Sequence, residues 1–206
     1  MKAAPREVLG DRFYDLLEAS AEEASHSLQL LAAFLKARSE STEDLAAARR
    51  RSEQVAAEIG TTLVKTIMAG LQRDDIQGLS RVLQTIPERV ERFAGRFILA
   101  RDRLADLGFS PPVDLLGTAA KTVVAMVHQL RAFSNLASTQ ELRVRLQEEG
   151  DRAEILLEGL VRDLHRRQGD PLKMVVAKDL SDQLQSILDA CRDAANLVYL
   201  VVLKYT

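Results

Sequence analysis

A chain of 206 residues that is 47% hydrophobic and 28% charged has a globular composition and is too apolar to stay disordered. Aromatics are only 4%, with no tryptophan, which disfavours a β-sandwich and favours helices packed through aliphatic side chains. The net charge of −2 argues against a dedicated nucleic-acid binder, and the single cysteine, Cys191, excludes an internal disulfide.

Apolar residues recur at three- and four-residue steps along six segments, which predicts six helices. The first runs from about Arg6 to Ala37 on a stripe of Phe13, Leu16, Leu17, Ala24, Leu28, Leu31 and Leu35. Ser41 offers the N-cap of the second, which carries Leu45, Val55, Ile59, Leu63 and Ile67 inward and stops near Gly70. Arg73-Asp74-Asp75 opens the third, whose acids suit the free amides of a first turn. Its stripe is Ile76, Leu79, Leu83, Ile86, Val90, Phe93, Phe97 and Leu104. Pro87 inside it predicts a kink, and Leu107-Gly108 its end.

Ser110-Pro111-Pro112 places a serine cap and a first-turn proline at the start of the fourth helix. Its core is Leu116, Ala119, Val123, Val127, Leu130 and Phe133. The fifth spans about Thr139 to Arg167, with Leu142, Leu146, Ala153, Leu156, Leu160 and Leu164 inward. Gly169-Asp170-Pro171 then ends one helix and starts the last. The sixth carries Leu180, Leu184, Ile187, Leu188, Cys191 and Ala195 on one stripe. From Leu197 it is apolar nearly all round, as for an end buried by several neighbours. No segment alternates with a two-residue period, so no sheet is expected, and long helices with short links pack antiparallel.

Few residues suggest chemistry. Cys191 lies on an apolar stripe and reads as a buried, inert thiol. Glu23 and His26 have the Glu-x-x-His spacing of a di-iron bundle, but Ala125 and Arg162 stand three residues before His128 and His165, so the second pair is missing. No nucleophile elbow and no glycine-rich phosphate loop occurs. Arg49-Arg50-Arg51 and His165-Arg166-Arg167 read as solvated helix faces. Acid pairs at i, i+4, among them Glu154/Glu158 and Asp189/Asp193, could ligate a hard cation, though most must be ordinary surface. The start, Met1-Lys2-Ala3-Ala4-Pro5, lacks the pattern of a secretory signal. No apolar run reaches the roughly 18 residues that span a bilayer, so a cytoplasmic protein is expected.

Three stretches resemble the divergent PhoU family of phosphate-transport regulators, often found beside low-affinity inorganic phosphate permeases. Arg12-Phe13-Tyr14-Asp15-Leu16-Leu17-Glu18 is similar to the family's aromatic and Asp-Leu-Leu-Glu opening. Leu71-Gln72-Arg73-Asp74-Asp75-Ile76 is similar to its turn into the third helix. Asp189-Ala190-Cys191-Arg192-Asp193-Ala194-Ala195-Asn196, followed by Val202-Leu203-Lys204, is similar to its ending. The resemblance implies two three-helix bundles in pseudo-repeat, about 1–108 and 109–206, within one all-α domain.

It also implies four motifs, each an acid followed by Asp four residues on, that hold metal on the bundle face. Carried over by position, each has lost one carboxylate. Glu53 is kept and Ala57 replaces its Asp; Gln84 replaces an acid before Glu88; Gln147 stands before Asp151, and Gln185 before Asp189. A metal cluster needs carboxylate charge to offset the dehydration and mutual repulsion of its ions. The expectation is therefore a lost cluster and no cofactor. A single weakly held divalent or iron-type ion at Glu53/Glu88 or Asp151/Asp189 is the alternative.

The function so implied is a cytosolic, non-enzymatic regulator or accessory of inorganic phosphate transport. It would work by contact with a permease or a cytosolic signalling protein and reach the membrane only through such a partner. A metal-binding or phosphate-sensing bundle is the alternative, and a helical scaffold of drifted role a third. Self-association through an exposed apolar face fits any of them, and no nucleic acid is expected.

Overall fold

Three- and four-residue apolar steps bury a stripe only when the backbone is helical, and that is how the chain resolves them. The computed structural model describes residues 5–65, 71–104, 106–131, 136–166 and 170–206. Its helices are α1 (Pro5–Ala37), α2 (Glu43–Lys65), α3 (Arg73–Ala100), α4 (Ser110–His128), α5 (Leu136–Arg166) and α6 (Pro171–Tyr205). A 3-10 turn, Gln129–Arg131, continues α4, and no strand occurs among the described residues. Ile67, Gly70, Phe133, Arg167 and Gly169 lie outside the described residues.

Helices α1, α2 and α3 pack together, as do α4, α5 and α6. The bundles join through α1 against α4 and α3 against α6, which leaves α2 and α5 packing mainly within their own bundles. Ion pairs record the antiparallel directions. Arg12 meets Glu58 and Arg51 meets Glu23 across α1 and α2. Arg96 meets Asp179 across α3 and α6, and Lys36 meets Asp114 across α1 and α4. One continuous apolar core runs through both bundles. Phe93, Phe97 and Phe109 stand in mutual contact there, with Phe34 edge-on to Phe97, at centroid distances of 6.0 to 6.1 Å.

The caps follow local chemistry. Ser41 Oγ accepts the Glu43 N–H, and Asp170 accepts the Leu172 N–H at 3.0 Å ahead of Pro171. Ser110, however, is not a cap. It is the first helical residue of α4, and Phe109 holds the N-cap position without a side-chain bond. The phenyl ring goes into the aromatic cluster, so packing sets this helix start. Asp74 and Asp75 lie in the first turn of α3 but do not cap it. Asp75 instead accepts from Lys204 Nζ at 2.9 Å and Tyr205 hydroxyl at 3.3 Å.

Other expectations also shift. Helix α3 stops at Ala100, not Leu107, and a turn follows in which the Leu104 N–H bonds the Ala100 carbonyl. Arg101 with Glu40 and Arg103 with Asp170 hold that turn from both sides, and Leu104 is buried beneath it. On α5 the inward residue is Leu157, 4% exposed, while Leu156 is 39% exposed. The buried series Leu146, Ala153, Leu157 and Leu164 keeps steps of seven and four, which Leu156 breaks by one position. The end of α6 is not buried all round. Leu200 is 56% and Leu203 49% exposed, while Val198, Val201 and Val202 face the core.

Candidate functional site

The four acids Glu53, Glu88, Asp151 and Asp189 stand on the paired faces α2/α3 and α5/α6. Glu53 and Glu88 line one shallow pocket together with Thr42, Arg49, Glu91 and Arg92. Arg49 bridges from α2 to Glu91 of α3 and also bonds Glu53. Arg92 bonds Glu88 at 2.7 Å. Hydrogen bonds donated to Glu91 and, less strongly, to Glu53 raise the affinity of the Arg49 guanidinium for its proton. Glu53 and Glu88 thus come together beside two guanidinium groups, each of which pairs with one of them.

Asp151 of α5 and Asp189 of α6 also face one another's helices, with Arg192 between them. Arg192 donates to Asp151 at 3.0 Å, donates to Glu154, and lies 3.9 Å from Asp189. Gln147 donates its amide to Asp151 at 2.7 Å. Gln185 donates to Glu154 at 2.6 Å and Asp189 at 3.3 Å. The Arg192 hydrogen bond holds the Glu154 carboxyl below the usual glutamate range, against the opposing effect of burial. Neither Arg192 nor Glu154 is among the four residues that the resemblance assigns to these faces. The sequence offered only Gly150, mid-helix beside Asp151, and Gly159 on the same helix has open space around it, so a mid-helix glycine by itself did not mark the place.

Among the described residues no three His, Cys, Asp or Glu side chains come together in a way that could hold a metal ion. Glu23 of the Glu23/His26 spacing is bonded by Arg51, and His128 Nδ1 lies 3.1 Å from Glu18 on α1. Burial pushes the Cys191 thiol up to about 12, which keeps it protonated and a poor nucleophile at neutral pH. Farther along α5 and α6 lies an open groove of about 750 Å³. Leu157, Val161 and Met174 give it apolar walls, and Glu158, Arg162, Lys178 and Asp182 line its rim. Arg162 pairs with Glu158 and Lys178 with Asp182 on their own helices, so the rim carries little net charge.

Two three-helix bundles sharing one core, with arginine-filled acidic faces on the outer helix pairs, define an all-helical double-bundle protein. Solved structures share that architecture. A PhoU-like protein from Shewanella oneidensis MR-1 superposes with a TM-score of 0.81 at 14% identity, over 93% of this chain and 99% of its own. A second PhoU-like protein of that organism, whose name assigns it to phosphate regulation, gives 0.75 at 15% identity over the same shares. In sequence, the UPF0111 protein YkaA of Bacillus subtilis (strain 168) is 20% identical over 142 residues, 69% of each chain. No family model matches the chain. The fold is the PhoU-like fold, which supports the resemblance read from Arg12–Glu18, Leu71–Ile76 and the end of α6.

Proposed function

We propose that the chain is a PhoU-like regulator or accessory of inorganic phosphate transport, resident in the cytoplasm and acting by contact, not catalysis. The observation that carries this reading is the likeness in fold, over 93% of the chain, to a protein named for phosphate regulation. Two features agree with it. The Cys191 thiol is kept protonated by burial, and no described helix is long and apolar enough to cross a membrane, so a permease would have to be met from outside the bilayer. The partner is then an inorganic phosphate permease or a cytosolic signalling protein. Leu200 and Leu203 add an exposed apolar strip through which two copies could associate.

The test is phosphate uptake in cells lacking the gene. Deletion should change the rate of inorganic phosphate entry, and a plasmid copy should restore it. Uptake unchanged under both phosphate-limited and phosphate-rich growth would sink the reading. A weak-ion or phosphate-sensing bundle is the second reading, favoured by the shallow pocket that Glu53 and Glu88 share. Calorimetric titration of the full chain with manganese and with inorganic phosphate separates the two, since only the second reading expects heat of binding.

A further inference from the structure

The PhoU-like fold implies carboxylate-bound metal on the outer helix pairs, and the residues of this chain do not fit one. Carboxylates only accept hydrogen bonds, so the amides of Gln147 and Gln185 must turn N–H toward Asp151, Glu154 and Asp189. That presents the positive end of each amide to the space where a metal would need oxygen. The same space already contains a cation. We propose that Arg192 stands in for a bound metal: its guanidinium is the resident positive charge of the α5/α6 face, and this chain closes that face without an ion.

Three observations support the exchange. Arg192 reaches three acids on two helices, with contacts to Asp151, Glu154 and Asp189, and its side chain is only 17% exposed. A planar guanidinium offers five donors in a fixed fork and carries no tightly held water shell, so it can do this with a single charge. Second, the place is built for it. A Cβ on Gly150 would lie 2.8 Å from the Arg192 terminal nitrogen and 3.1 Å from its central carbon, so the guanidinium lies directly against the glycine and would have to shift to admit a methyl there. Its Nε is buried there without a partner among the described residues, so one donor of the fork goes unused at some cost. Third, the other face repeats the solution with other residues, since Arg49 and Arg92 bond Glu53 and Glu88. Each of the four acids that the resemblance assigns to metal thus has a guanidinium within 4.0 Å.

The inference does not depend on the phosphate-regulation reading, and its test measures stability and metal content. The full chain is purified without chelator, assayed for metal by mass spectrometry, and melted with and without EDTA. Less than a tenth of an ion per chain and an unchanged melting midpoint are expected. Gly150→Ala, Arg192→Ala and the pair are then melted. With Arg192 present, Gly150→Ala should raise the midpoint less than it does beside Arg192→Ala, or lower it, because the new methyl makes the guanidinium shift. With Arg192→Ala, the same change should leave the midpoint equal or raise it, because alanine is the better helix former. If Arg192→Ala does not fold, Arg192→Gln, too short to reach the acids, takes its place in the cycle. An ion held at one per chain whose removal lowers the midpoint overturns the proposal. So does a Gly150→Ala effect that is the same in both backgrounds.

Discussion

Tyr205 shows how much a single side chain near the chain's end can do. Its hydroxyl accepts the Gln72 N–H at 2.8 Å and lies 3.3 Å from Asp75, while Lys204 bonds both Gln72 and Asp75. The end of α6 is thereby fastened to the first turn of α3. Tyr205→Phe should lower stability by about 1 kcal/mol, measured by urea unfolding, because the Gln72 N–H loses its acceptor. The reverse holds at Ser52, whose hydroxyl is buried on α2 without a partner among the described residues. Ser52→Ala removes that unpaired group and improves helix propensity, so stability should rise by roughly 0.5–1 kcal/mol in the same assay.

A third residue sets part of the pH dependence. Hydrogen bonds from Arg131 hold the Glu18 carboxyl below the usual glutamate range, with His128 adding to the effect and burial opposing it. Asp15, on the same helix, shares Arg131. A carboxyl that binds its proton less readily when folded contributes stability above the unfolded pKa of about 4.5. That contribution is lost as pH falls through the lower folded value. Arg131→Gln should therefore flatten the acid side of the stability profile below about pH 5, read from melting midpoints between pH 3 and pH 7. An equally steep acid limb in the variant would show that Glu18 is not its source.

At the scale of elements, helix starts divide into those set by hydrogen bonds and those set by packing. Asp170 caps α6 through its own side chain, and its ion pair with Arg103 ties the same point to the turn after α3. Phe109 starts α4 by burying its ring against Phe93 and Phe97. Phe109→Ala should cost about 3–5 kcal/mol, because the cavity would open where α3, its following turn and α4 meet. Phe109→Leu should cost well under half of that. If Phe109→Ala proved as mild as a surface change, the aromatic cluster would not be what positions α4.

At the scale of the whole molecule, two bundles share one core. Helices α1 and α3 bury apolar side chains against α4 and α6, so neither half covers its own apolar face. A fragment spanning 1–108 should expose that face and fail to give a cooperative melt. The full chain should unfold in a single transition whose calorimetric and van't Hoff enthalpies agree. Two resolved transitions would mean that the halves are independent domains.

Periodicity alone determined that this chain is all helical, and it assigned most of the core residues correctly. Local steps of three and four are a property of the helix itself, so Leu17, Leu28, Ile76, Leu83, Leu184 and Leu188 could be assigned inward without a neighbour in view. The Asp170-Pro171 start was legible for the same reason, since a cap and its helix are adjacent in the chain. Where helices meet was not legible. Leu156 and Leu157 differ by one position on α5, and Leu203 and Val202 by one on α6; only the partner helices decide which of each pair is covered. The acidic faces show the same division. The family resemblance, carried over by position, implied charge missing at Ala57, Gln84, Gln147 and Gln185. Only the tertiary structure could place Arg192 over Gly150 and among Asp151, Glu154 and Asp189, because an ion pair is a matter of distance in space and the pairing of α5 with α6 sets that distance.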